Sequence, residues 1–335
     1  MASPKEDERK RRVKSAVKHW CDSGLAEHSS VAGFSKVLVG LYNVNASSTI
    51  LRATQNAALD EIKHAKLCFG LANAIRVLCG DRKDNDSSIL VPGPLPVKPI
   101  MKVHTSLAEV AAASTIEGWY VFEFSPGGVH TNAYTHTHTY HSVEETLSAF
   151  LAAVALDALP ASDSHRYIPR VGDKISFVLN HITNDESRHA SLAWYTVRWC
   201  LEEERKNLNG AKGDVHRSVY EAFQRVFREA DDDDDDEEEE EEYDLSNHDN
   251  SMWPYGILSN RTESFVQKLI LRDVLRPWAN ALLNFRALPT LKTSLMIDSQ
   301  TPCVHTNRVL NSILAMETNG NLLNLDAKFS DEAAS

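Results

Sequence analysis

The sequence predicts an all-α protein, most simply a four-helix bundle with one long crossover connection and a C-terminal helical extension. Three observations carry this. Apolar residues recur at helical spacing over most of the chain. Strand-like alternation is scarce. The pattern D-E-x-[KR]-H-A occurs twice, at 60–65 and 185–190, each time inside a strongly helical stretch.

Residues 10–80 predict an antiparallel helical hairpin. The first arm runs through LAEHSSVAGFSKVLVGLYNV, and the NASS segment at 45–48 reads as a turn with an N-cap serine or threonine. The second arm is STILRATQNAALDEIKHAKLCFGLANAIRVL, ending at Cys79-Gly80. Residues 81–100 hold four prolines and no helical period, which predicts a crossover. Helical character returns at 105–118 and at 142–159. Between them, 119–141 has no period and contains Pro-Gly-Gly and a Thr-His alternation. A long helix follows a loop near 160–172 and runs to about Lys206. Another is expected at 214–230, and one at 261–285 that Pro277 should kink or end. The expected organisation is a bundle over 15–210 with an irregular insertion at 119–141, a linker with an acidic run over 211–250, and a helical extension with a loose tail over 251–335.

The 335 residues are 42% hydrophobic and 24% charged, which fits a globular chain and excludes a disordered or collagenous one. No stretch approaches the ~18 apolar residues of a membrane span, and the charged N-terminus lacks the apolar core of a secretory signal. The net charge of −12 belongs to one segment, because 231–242 is twelve consecutive acidic residues and the remainder holds 35 basic against 35 acidic. Such a run is a solvated linker and argues against nucleic-acid binding. Five cysteines without a CxxC spacing predict reduced thiols and a cytoplasmic setting.

The repeated motif carries the chemistry. Glu61 and His64, and likewise Glu186 and His189, stand three apart and share a helix face. A carboxylate and an imidazole side by side can hold one cation. Each pair follows a helix that offers a further carboxylate: Glu27 lies 34 residues before Glu61, and Glu117 lies 69 before Glu186. Discounting the 23 residues of 119–141 shortens the second interval to 46, the surplus over 34 falling near 160–172. Two hairpins, each giving one Glu and one Glu-x-x-His, form the ligand set of carboxylate-bridged dinuclear bundles.

On these residues the chain resembles the ferritin-like superfamily of di-iron carboxylate proteins, and within it bacterial-type ferritin-like domain proteins. Four motifs occur in the family's order over about 20–205: Ala26-Glu27-His28-Ser29-Ser30, Asp60 to Ala65, Glu117-Gly118 with Glu145-Thr146, and Asp185 to Trp194. The resemblance implies metal ligands Glu27, Glu61, His64, Glu117, Glu186 and His189. It also implies that Asp60 and Asp185 hydrogen-bond the ligand histidines across the site. Removing 119–141 joins Glu117-Gly118 to Ser142-Val143-Glu144-Glu145-Thr146 and restores the family's E-G-x-x-x-E-T in register. The segment therefore reads as a recent insertion or a retained intron, its THTHT being what a CA-repeat encodes. Kept in place, it breaks the third helix directly after Glu117, and Glu145 becomes the fallback ligand.

The resemblance implies two iron ions, with manganese the alternative, and an oxidase or oxygenase that reduces O2 with two electrons while acting on an organic substrate or reductant that the sequence does not identify. Ferroxidase or iron handling is the second reading, although the C-terminal region and long connections suit a storage cage poorly. A metal-free helical scaffold is the third. A homodimer is compatible with all three; nucleic-acid and membrane partners are not expected. His28 falls on another face than Glu27. His181, Glu109, Trp194 and Trp199 read as ordinary helix or packing residues. The histidines at 130, 136, 138 and 141 read as surface, and the KRRVK run at 10–14 reads as an exposed helix start.

Overall fold

A computed structural model describes residues 4–79, 103–115, 141–159, 171–209, 211–232, 250–286 and 304–319. The described residues are all-α. Helix α1 spans Pro4–Asn43 and α2 spans Ser48–Cys79. Pro4 opens α1 where a missing N–H costs nothing. Asn45, at φ 55°, turns the chain through the left-handed region that asparagine tolerates. Ser47 Oγ accepts the Ile50 N–H at 3.4 Å and so caps α2. At the far end, Arg9 Nη1 donates to the Cys79 carbonyl at 2.7 Å, which makes α1 the C-cap of α2. Gly24 lets the helices close, since a Cβ there would stand 2.9 Å from the Phe69 ring.

Helix α3 spans Leu107–Thr115 and α4 spans His141–Asp157. A capping box starts α3: the Glu109 N–H donates to Ser106 Oγ at 3.2 Å, and the Ser106 N–H donates to Glu109 Oε2 at 3.3 Å. The two helices meet end to end. Ser142 Oγ donates to the Thr115 carbonyl at 3.5 Å across 27 positions. Discounting the 23 residues of 119–141 leaves four, the spacing at which Thr115 Oγ1 donates to the Ala111 carbonyl and Thr146 Oγ1 to the Ser142 carbonyl. So α3 and α4 behave as two halves of one rod in register. The proposed crossover at 81–100, Glu117, Cys303 and most of 119–141 lie outside the described residues.

Helix α5, Gly172–Asn207, is central: α2, α3, α4 and α6 (Asp214–Asp232) pack around it, as does a C-terminal helix, α9 (Val304–Asn319). The expected linker differs here. Residues 214–232 belong to the folded body, because Val215, Val219, Ala222, Phe223, Val226 and Phe227 make a buried stripe at helical spacing. Glu204 of α5 accepts the N–Hs of Gly213, Val215 and His216 and anchors the start of α6. The expected loose tail differs too. On α9, Val309, Leu310, Ile313 and Leu314 are buried, and Asp157 at the end of α4 accepts the His305 N–H at 3.0 Å and lies 2.5 Å from His305 Nδ1.

The chain around Pro277 continues as a rod. Helix α7, Asn260–Ile270, passes through a π-turn at Leu271–Leu275 into α8, Arg276–Leu283. The Arg276 N–H reaches back to the Leu271 carbonyl, five positions earlier. Widening the turn absorbs the missing N–H and ring bulk of the proline, so no break is needed. Trp194 fastens this layer to the body. Its indole N–H donates to Thr146 Oγ1 at 3.1 Å, and its ring stacks on Phe223 and meets Trp278 edge-on, with centroids 5.6 and 5.5 Å away. No helix among the described residues is long and apolar enough to cross a membrane.

If α3 and α4 are one rod, residues 119–141 join ends that already meet, and closing a connection of that length costs entropy. Deleting 119–141 should therefore leave a single cooperative thermal transition at the same or higher Tm by circular dichroism. A broad, non-cooperative melt would contradict the shared register.

Candidate metal centre

The apolar interior is divided in two. On α1 one cluster ends at Trp20 and the other begins at Phe34; on α2 the break lies between Ala57 and Cys68; on α5 it lies between Ile182 and Ala190. Between the clusters sits a polar layer. Helix α1 brings Glu27 into it, α2 brings Glu61 and His64, α4 brings Glu145, and α5 brings Glu186 and His189. Two overlapping groups result, Glu27–Glu61–His64–Glu186 and Glu61–Glu145–Glu186–His189, and within each the candidate ligand atoms all lie within 4.8 Å of one another. Glu61 and Glu186 belong to both.

Five of the six ligand residues implied by the resemblance thus meet in one pocket. The sixth, Glu117, lies outside the described residues, and Glu145, the fallback, occupies the fourth carboxylate place. The rod register explains why Glu145 can do so: it sits one turn past the α3–α4 junction, on a face that α5 buries.

Both imidazoles turn Nδ1 inward. His64 Nδ1 lies 3.1 Å from Glu186 Oε1 and 3.5 Å from Glu27 Oε2; His189 Nδ1 lies 3.0 Å from Glu61 Oε1 and 3.5 Å from Glu145 Oε2. Glu61, His64, Glu186 and His189 are at most 3% exposed. Yet Glu61 Oε1, Glu186 Oε1 and both Nδ1 atoms lack a partner in hydrogen-bond geometry among the described residues. Buried polar atoms left in that state are costly, and here they face one another. A cation in each group would satisfy them, one at His64 and one at His189. Carboxylate oxygen with neutral imidazole nitrogen is a donor set suited to iron or manganese. The residues present therefore fit a metal ion.

A second layer fixes the imidazoles. His64 Nε2 is 3.1 Å from Asp185 Oδ2, and His189 Nε2 is 3.5 Å from Asp60 Oδ2. Each aspartate thus backs the histidine of the other motif, leaving each Nδ1 for the pocket. The basic residue of the motif, whose role the sequence reading left unassigned, closes this layer. Arg188 Nη2 donates to Asp60 Oδ2 at 3.2 Å and to Asp185 Oδ1 at 2.5 Å, so one guanidinium ties both aspartates together. Lys63, its counterpart, stands 3.9 Å from Asp185. The signal was in plain view, a Lys or Arg at the same place in both copies. His181, half-exposed and stacked on Phe177, approaches Asp185 at 3.5 Å. Exposed His28 is outside the cluster. Phe34 meets His189 edge-on at 5.2 Å.

The protonation pattern follows from this crowding. Burial alone would lower the His64 pKa, but the carboxylates of Asp185, Glu186 and Glu27 around the ring push it up to about 12. His189 is likewise raised, against its burial, by Asp60, Glu145, Glu186 and Glu61. Burial and the neighbouring Glu186 raise Glu61 well above the usual carboxylate range. Burial would raise Asp185, but His64 and Arg188 hold it down at about 2. Glu144, beside Glu145, is raised by burial and by Glu145, Glu186 and Glu27, so it tends to keep its proton.

No protein-family model matches the chain, and neither a curated protein nor a solved structure gives a match.

The pKa directions set a sign for metal binding. Without a cation, His64 and His189 hold protons at pH 7, whereas a cation needs their Nδ1 lone pairs. Filling the pocket must therefore expel protons, and affinity must rise with pH. Isothermal titration of metal-free protein at pH 7, in buffers of different ionisation enthalpy, should show release of at least about two protons per filled pocket, one from each histidine and more where Glu61 also holds one. Binding without proton release would contradict the pocket's assignment.

Proposed function

We propose that this chain is a ferritin-like dinuclear metal protein, and that it uses two iron ions to activate O2 as an oxidase or oxygenase. The observation that carries the reading is the near-symmetric pocket. Glu27 and His64 flank one side and Glu145 and His189 the other, with Glu61 and Glu186 common to both groups. Shared carboxylates are what two neighbouring cations need between them. Charge supports the count of two: four carboxylates balance two divalent ions when both imidazoles are neutral, and Asp60 and Asp185 are balanced by Arg188 and Lys63. One ion would leave the layer strongly negative between two apolar clusters.

When bound, such a pair of reduced ions supplies two electrons to O2 together. The chain's own residues do the rest. Asp185 and Asp60 hold the imidazoles with Nδ1 turned inward. Arg188 keeps those aspartates charged. The apolar clusters on either side exclude water and lower the local dielectric. Glu144 sits beside the pocket as a carboxyl able to hold a proton. The motif order, the inward Nδ1 atoms and the crossed aspartates support the ferritin-like reading over a metal-free scaffold, which has no use for four orphaned polar atoms facing one another.

Elemental analysis of protein expressed with iron and manganese should find about two ions per chain, and Glu61→Ala, which removes a shared carboxylate, should abolish stoichiometric loading. Protein that binds no metal, or a variant that loads like the parent, would refute the reading. Oxygen uptake then separates its branches. Uptake that requires an organic reductant and substrate supports the oxidase. Uptake that scales with added Fe(II) and leaves a mineral core makes iron itself the substrate.

A further inference from the structure

The two halves of the pocket share a ligand pattern but differ in their surroundings. Glu27 keeps 17% of its side chain exposed, against 7% for Glu145. The difference has a structural source. Residues 25–32 of α1 are all half-buried or exposed, and α1 packs chiefly on α2, α3 and the 3-10 turn at Asn250–Tyr255. Around Glu145, Ser142, Val143, Thr146, Ala149 and Phe150 are fully buried. Helix α4 packs on α5, α7 and α9. Phe34 closes over the His189 ring from the side of α1.

Building on the two-cation reading above, we propose that the positions are unequal: the Glu27–His64 position exchanges its ion with solvent, while the Glu145–His189 position is sealed by the C-terminal helices. This gives the extension a task, that of a wall over one metal position. An ion leaving the sealed position needs α4 or its cover to open, and such local opening is rarer than solvent access at an exposed edge. The exposed position is then also where a small exogenous ligand gains access.

The test is metal release from full-length protein loaded anaerobically with Fe(II), mixed with excess colorimetric Fe(II) chelator. Two phases of equal amplitude are expected, their rates differing by at least about tenfold. Glu27→Gln should remove or accelerate only the fast phase. Asp157→Ala, which loosens α9 at His305, should accelerate only the slow phase. A single phase releasing two ions would overturn the inequality while leaving the two-cation reading intact. Failure to load two ions would overturn both. A slow phase that Asp157→Ala leaves unchanged would overturn the wall. The parent protein's two phases test the inequality even if a variant does not fold.

Discussion

The constraint on which the rest depends is the burial of charge. Four glutamates and two histidines occupy one layer inside an apolar body, and only Glu27 among them is not buried. An ion taken out of water is strongly destabilised unless it is paired, and pairing must be nearly complete. The surroundings show how much of the molecule serves that end. Asp185 takes up the outward nitrogen of His64, Asp60 stands 3.5 Å from that of His189, and Arg188 joins both aspartates. Glu61 Oε1, Glu186 Oε1 and the two Nδ1 atoms, which this network leaves unpartnered among the described residues, point inward from α2 and α5. The helices are long because each must carry its ligand in a polar layer and still reach an apolar cluster on either side.

Most of the elements were legible because they depend on local chemistry. The α1–α2 hairpin follows from apolar spacing and a serine cap, and both cap and turn stand where the pattern places them. The Glu-x-x-His pairs were legible because three positions make one helical turn. The identity of the fourth carboxylate was not. Glu117 and Glu145 both precede the second motif, and the choice depends on where α3 stops, which spacing alone does not reveal. The Thr115–Ser142 contact shows the register directly. The role of Arg188 was not legible, because a charged residue on a helix is usually a solvated one: Asp185 lies one turn away on the same helix, but only the fold brings Asp60 to it.

The C-terminal region was harder for a different reason. Its helices are short and have mixed composition, and their burial comes from distant partners. Helix α9 depends on Asp157 and on the α4–α5 surface, 148 positions away in the chain at His305. The π-turn before Pro277 shows the same limit, since proline predicts a disturbance but tertiary packing decides whether the rod survives it. The extension shares the core of the first two hundred residues: Trp278 meets Trp194, which in turn is tied to Thr146 beside Glu145. Stability and site geometry are therefore linked through one aromatic junction.

The most direct test of the central claim is anomalous X-ray diffraction from crystals of the iron-loaded protein, collected at the iron edge. The account predicts two peaks a few ångströms apart between Glu61 and Glu186, one beside His64 Nδ1 and the other beside His189 Nδ1. A layer without anomalous density, or metal found only at surface histidines, would contradict it.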